Sequence, residues 1–159
     1  MDVWLALEQS VLGEVVRRSP FLYPAANVAH ILGLLIFFST VAVMDARLLG
    51  AFRQVPWPLL AKRCRPVAVI ALVAQAGTGL LLLAPDAVAI AANPAFRLKL
   101  LTIAFGLANA ALLEVVVRRR QPPDESGPPP ERPLVQVCAL LSLAAWLSTA
   151  ALGRLIAYV

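Results

Sequence analysis

A single histidine, His30, stands in the first long apolar stretch of a 159-residue chain, with Asn27 before it and Asp45 after it. At 100° per residue Asn27 and His30 lie about 60° apart, and Asp45 returns to the azimuth of Asn27. The three therefore form one helical stripe, expected to face the interior of a bundle, because polar groups in lipid must find partners there. A neutral imidazole roughly two turns below the surface can ligate a haem iron, hydrogen-bond a quinone or carry protons. The plainer alternative is a histidine hydrogen-bonded to Gln75 or to a backbone carbonyl. Lys99 lies at a similar depth in the third apolar stretch, and its stripe continues through Thr102, Gly106 and Asn109. With Arg97 it could neutralise an anionic group such as a haem propionate or a lipid phosphate. Equally, both could snorkel outward to headgroups. Glu114 precedes Arg118 by four residues, the favourable order for a helical ion pair, and reads as structural. Cys64 and Cys138 form no C-x-x-C pair, and one histidine is too few for a protein-only zinc site, so both read as packing residues.

The elements that must hold these groups are set by composition. Of all residues 60% are hydrophobic and 14% charged, with a mean hydropathy of +0.80, outside the usage of soluble domains. A net charge of +5 would suggest nucleic acid in a soluble protein, but the basic residues flank apolar runs, where they meet lipid headgroups. A nucleic-acid partner is discounted. Four runs reach the ~20 residues needed to span the hydrocarbon core, at about 22–44, 66–84, 95–117 and 134–157. Arg63, Arg65 and Pro66 precede the second run, Pro85-Asp86 follow it, and Asn93-Pro94 open the third as cap and first-turn proline. Residues 86–92 are too short to span and are expected to form a partial turn. The expected fold is all-α: an integral membrane four-helix bundle over residues 21–159, preceded by an amphipathic surface helix over 1–20. In that helix Trp4, Leu5, Leu7, Val11, Leu12, Val15 and Val16 share one half of the wheel, with Glu8 as a misfit. The stretch 121–133, QPPDESGPPPERP, is expected to be an extended, solvated linker.

Nine basic residues lie in the 45–65 and 118–133 loops against five on the other side. The excess marks the cytoplasmic side, so both termini are expected in the periplasm of a bacterial inner membrane. No cleavage site follows the Arg17-Arg18 pair, and removal of the first span is not expected. The Gln75, Gly77, Thr78, Gly79 face of the second span, and the Cys138, Ser142, Trp146, Thr149, Gly153 stripe of the fourth, have the small and hydroxylated character of helix-packing surfaces. No phosphate loop, hydrolase nucleophile elbow or paired membrane carboxylate occurs.

Three stretches, FLYPAANVAHILG (21–33), MDARLLG (44–50) and NPAFRLKLL with GLANA (93–101, 106–110), resemble a family of small bacterial four-span membrane proteins of unknown function. That resemblance implies fold and membrane location but no activity. A fainter one, carried by His30, Gly33, Arg47, Leu48 and Lys99, is to the four-helix haem-binding protoporphyrinogen oxidases and the copper-resistance membrane proteins of the D type. Members of the closer family often carry a histidine near the end of the third span, where this chain has Glu114. The resemblance therefore implies no bis-histidine haem within one subunit; haem b would bind through His30 alone, or through two copies of His30 across a homodimer. Two functional readings follow, with small-solute or lipid transport as a third. One is a non-enzymatic membrane scaffold or accessory subunit, in which Asn27, His30, Gln75 and Asn109 fix helix register and the partners are lipids and other membrane subunits. The other is a redox protein holding haem b by the His30 nitrogen, with Lys99 or Arg97 near the propionates and Asn27 orienting the site.

Overall fold

The computed structural model describes residues 3–118, 133–156 and 158. Most of the expected linker therefore lies outside the described residues. In chain order the helices are α1 (Val3–Glu8), α2 (Val11–Arg18), α3 (Leu22–Leu48), α4 (Trp57–Leu83), α5 (Ala87–Ala92), α6 (Pro94–Arg118) and α7 (Pro133–Leu155), with a 3-10 turn at Ala84–Asp86. No strand occurs among the described residues. Helices α3, α4, α6 and α7 are long and apolar enough to cross a membrane, and the protein is a multi-pass, all-α membrane bundle.

Two antiparallel hairpins build it. Helix α3 packs along α4, α6 packs along α7, and α3 meets α7 where the pairs join. Along α3 the buried seam runs through Ala26, Phe37 and Leu48, with His30, Gly33, Val41 and Met44 partly buried between them. The spacing 26, 37, 48 is an eleven-residue repeat, about 3.67 residues per turn and close to the pitch of a straight helix. The expected inward stripe holds only in part: Asp45 is buried and His30 half-buried, but Asn27 is exposed. On a helical wheel Asn27 and Asp45 both lie about 80° from the middle of this seam, on its flank, and at the Asp45 end that flank meets Ser142 of α7.

The second spanning helix starts at Trp57, nine residues before the expected boundary. Pro58 takes the first turn, where a missing N–H costs nothing, whereas Pro66 lies inside α4 and leaves the Lys62 carbonyl without its helical donor. The third begins as read: Asn93 Oδ1 accepts from the Ala95 N–H at 2.8 Å, capping α6 ahead of Pro94. Helix α3 ends in a Schellman turn, in which the Gly50 N–H donates to the Arg47 carbonyl and the Ala51 N–H to that of Ala46. Gly50 has φ +105°, a conformation that a side chain would strain. The guanidinium of Arg47, itself buried, then donates to the carbonyls of Val55 (2.9 Å) and Arg53 (3.3 Å), closing the loop to α4.

The amphipathic segment is two helices rather than one. Ser10 interrupts it by donating from its hydroxyl to the Leu7 carbonyl and accepting from the Gly13 N–H, so it ends one helix and caps the next. Helix α1 packs over the 3-10 turn and α5, and α2 over the 3-10 turn, at one end of the bundle. Glu8, the misfit on the apolar face, accepts the Val88 N–H at 2.9 Å and so satisfies an orphan donor in the first turn of α5. Arg17 donates to the carbonyls of Pro85 (2.7 Å) and Glu8 (2.9 Å). Trp4 meets Phe96 edge-to-face, with 6.2 Å between centroids.

Candidate functional site

At the α3–α4 interface His30 is held twice. Its Nδ1 lies 2.8 Å from Thr78 Oγ1, and its backbone carbonyl accepts from Gln75 Nε2 at 2.8 Å. Thr78 donates its own hydroxyl proton to the Ala74 carbonyl, one turn back. Its oxygen therefore accepts from His30, which places the imidazole proton on Nδ1 and leaves a lone pair on Nε2. Two glycines flank the pair: a Cβ on Gly79 would make ordinary van der Waals contact with His30 Cε1 at 3.4 Å, and one on Gly33 would do the same with the Gln75 amide at 3.5 Å. Residues paired across the interface sum to 108, as 30 with 78 and 33 with 75, which is an antiparallel register that the spacing predicts once one pair is known.

The α6–α7 interface repeats the pattern. The Thr149 hydroxyl lies 2.9 Å from that of Thr102, Gly106 faces the Trp146 ring, and Asn109 Nδ2 donates to the Cys138 carbonyl at 2.9 Å. At the end of this ladder the Lys99 ammonium lies over Gly153, where an added Cβ would be 3.1 Å from Nζ. The stripes Lys99–Asn109 and Cys138–Gly153 are therefore the two sides of a single interface. Phe37 joins the hairpins, meeting Trp146 edge-to-face at 4.6 Å between centroids.

Of the residues expected at a cofactor site, the structure brings His30 and Lys99 within electrostatic range of one another. Asn27 points away from the bundle interior, and Arg97 donates through Nε to the Ala91 carbonyl at 3.0 Å, closing the C-terminal end of α5. Glu114 forms an ion pair with Arg65 of α4 at 2.5 Å, so this carboxylate ties the hairpins together; the Arg118 side chain lies outside the described ones. Sequence reasoning took Thr78 for a packing residue and overlooked Arg65 as a partner. The signal for Thr78 was its place one turn beyond Gln75 on the same face. Among the described residues no cluster of three or more His, Cys, Asp or Glu side chains could hold a metal ion.

A hydroxyl-to-imidazole bond inside a bilayer contributes about 0.6 kcal/mol on average and up to about 1.7 kcal/mol. Thr78→Val, which keeps the shape and removes the acceptor, should lower Tm in detergent by about 1–2 °C at the average bond strength and by up to about 7 °C at the maximum, scaling from the shift per kcal/mol of proteins this size. A Tm at or above wild type would show that Thr78 does not hold the ring.

No curated protein and no solved structure matches the chain, so the fainter likeness to haem-binding families finds no counterpart there. Residues 4–159, nearly the whole chain and all four apolar helices, match one family, and this membrane bundle belongs to the family of unknown function DUF6644.

Proposed function

We propose that this protein is a non-enzymatic scaffold or accessory subunit of a bacterial inner membrane, with both termini in the periplasm. The observation that carries the reading is how the polar groups between the long helices are used. The Gln75 amide, the Thr78 and Thr149 hydroxyls and the Asn109 amide each bond across a helix interface. Hydrogen bonds so placed specify which helix faces which and in what register. The lipid-facing sides of the hairpins stay apolar, with Ile70 and Val73 on α4 and Leu101 and Phe105 on α6 exposed. Such a body offers a fixed surface to neighbouring membrane subunits.

A second reading has one observation in its favour. His30 Nε2 keeps its lone pair while Nδ1–H is anchored on Thr78, the arrangement in which an imidazole makes an oriented metal ligand. Haem b would supply redox chemistry there; the chain would supply the His30 Nε2 nitrogen and, from Lys99, a positive charge.

One preparation tests both. Photo-crosslinkers placed at Ile70 and Phe105 in native membranes should give adducts with one or two discrete polypeptides, and the detergent-purified protein, expressed with ample haem supply, should be colourless. Adducts with lipid alone would overturn the scaffold reading. A Soret band that shifts on dithionite reduction and vanishes in His30→Ala would replace it with the haem reading.

A further inference from the structure

At the end of the bundle that carries the Arg47 loop, Asp45 is the one buried acidic side chain among the described residues. It is 3% exposed, and its Oδ2, shut off from solvent, has no hydrogen-bond partner. On α7 the Ser142 hydroxyl bonds to this carboxyl, with Cys138 and Trp146 one turn to either side. On α4 the register that pairs 30 with 78 brings position 63 opposite, where the Arg63 side chain is exposed, with Cys64 half-buried beside it. On α6 the Asn109 amide is directed at the Cys138 carbonyl instead. Of the nearby cations, Arg47 is engaged with two loop carbonyls, Arg65 is paired with Glu114, and Lys62 and Arg63 are exposed.

An anion in that position would be dry, short of donors, and in the last turn of α3, where the helix dipole presents its negative end. Something must neutralise it. Alkali and alkaline-earth cations want about six oxygen ligands, and the surroundings described supply the carboxyl itself and one hydroxyl. A proton needs neither.

We propose that Asp45 is a proton-binding site, a carboxyl carried as the neutral acid within the bundle and open to modification by membrane-soluble carbodiimides. In that modification the acid O–H adds across one C=N bond: a carboxylate oxygen bonds to the central carbon and the proton moves to nitrogen. The acyl group then shifts from oxygen to the second nitrogen, giving a stable N-acylurea with no leaving group. Reaction needs the protonated form, so labelling reports where the proton is.

The full-length protein in membranes would be treated with dicyclohexylcarbodiimide at neutral pH and mapped by peptide mass spectrometry, with infrared spectra of wild type and Asp45→Asn recorded in parallel. The expected result is an adduct on Asp45, and a protonated-carboxyl C=O stretch present in wild type and absent from Asp45→Asn. That variant swaps the acid for a neutral amide of the same shape and should fold with an unchanged Tm. Exposed Asp86 and Glu14 should react instead with a water-soluble carbodiimide. Absence of the infrared band at neutral pH overturns the proposal whatever the labelling. Protection of Asp45 by sodium at constant pH also overturns it, in favour of a bound cation.

Discussion

Gly106→Leu should abolish the native thermal transition, and Gly106→Ala should lower Tm by about 3–10 °C, from an overpacking cost of about 1–3 kcal/mol. The reason is geometric. A Cβ at position 106 would lie 3.0, 3.1 and 3.3 Å from three atoms of the Trp146 indole, tighter than ordinary van der Waals contact. The indole has nowhere to retreat: it is 6% exposed, and Phe37 stands edge-on against it from α3. One methyl can be absorbed by a shift of a few tenths of an ångström; an isobutyl group cannot. Because Trp146 belongs to α7 and Phe37 to α3, the damage should spread across the join between the hairpins. Tryptophan fluorescence during a thermal ramp in detergent reads this directly. The double variant Gly106→Ala with Trp146→Phe should recover part of the loss, since the smaller ring vacates the space the methyl needs. If Gly106→Ala melts with wild type, the α6–α7 contact is not this close.

The second large effect belongs to Gly13. A Cβ there would fall 2.5 Å from the Glu8 carbonyl oxygen and 3.0 Å from that of Ala84. Both are backbone atoms, which cannot rotate away. Gly13→Val should therefore lift α2 off the 3-10 turn, break the Arg17 bonds to Pro85 and Glu8, and bring Val16, now 1% exposed, into contact with solvent or lipid. Local opening made easier by about 2–3 kcal/mol raises the open population roughly 30- to 150-fold. Limited proteolysis between residues 8 and 21 should accelerate by about that factor. The melting of α3, α4, α6 and α7 should move little, because Gly13 touches none of their mutual interfaces. Proteolysis at the wild-type rate would mean that α2 is not seated as described.

Much of this architecture was legible from composition. Four apolar runs of sufficient length permit little else in a chain with few charges, and Asn93-Pro94 marks the start of α6 because a cap and a first-turn proline solve the same problem of orphan N–H groups. Two of the contact stripes could be written down from helical spacing, but which stripe faces which depends on how helices cross. The Lys99–Asn109 and Cys138–Gly153 faces were therefore visible singly and not as a pair. Pro66 misled because proline usually marks a boundary, whereas α4 absorbs it. Asn27 misled because a wheel gives azimuth alone, and whether a flank of α3 is covered depends on where along its length another helix lies. Arg97 and Glu8 carry charges that suggested a ligand or a flaw, yet each closes an end of α5, a helix too short to be recognised from its sequence. Their partners are backbone groups, which leave no trace in residue types.

The polar bonds of His30, Gln75 and Thr78 join helices consecutive in the long-span order, and so do those of Thr102, Asn109 and Thr149. During synthesis each hairpin can then satisfy its own awkward side chains as soon as its second helix leaves the translocation channel, without waiting for the rest of the chain. Phe37 against Trp146, Asp45 with Ser142 and Arg65 with Glu114 find their partners in the other half. The molecule is thus arranged to be inserted as two finished units and fastened together afterwards.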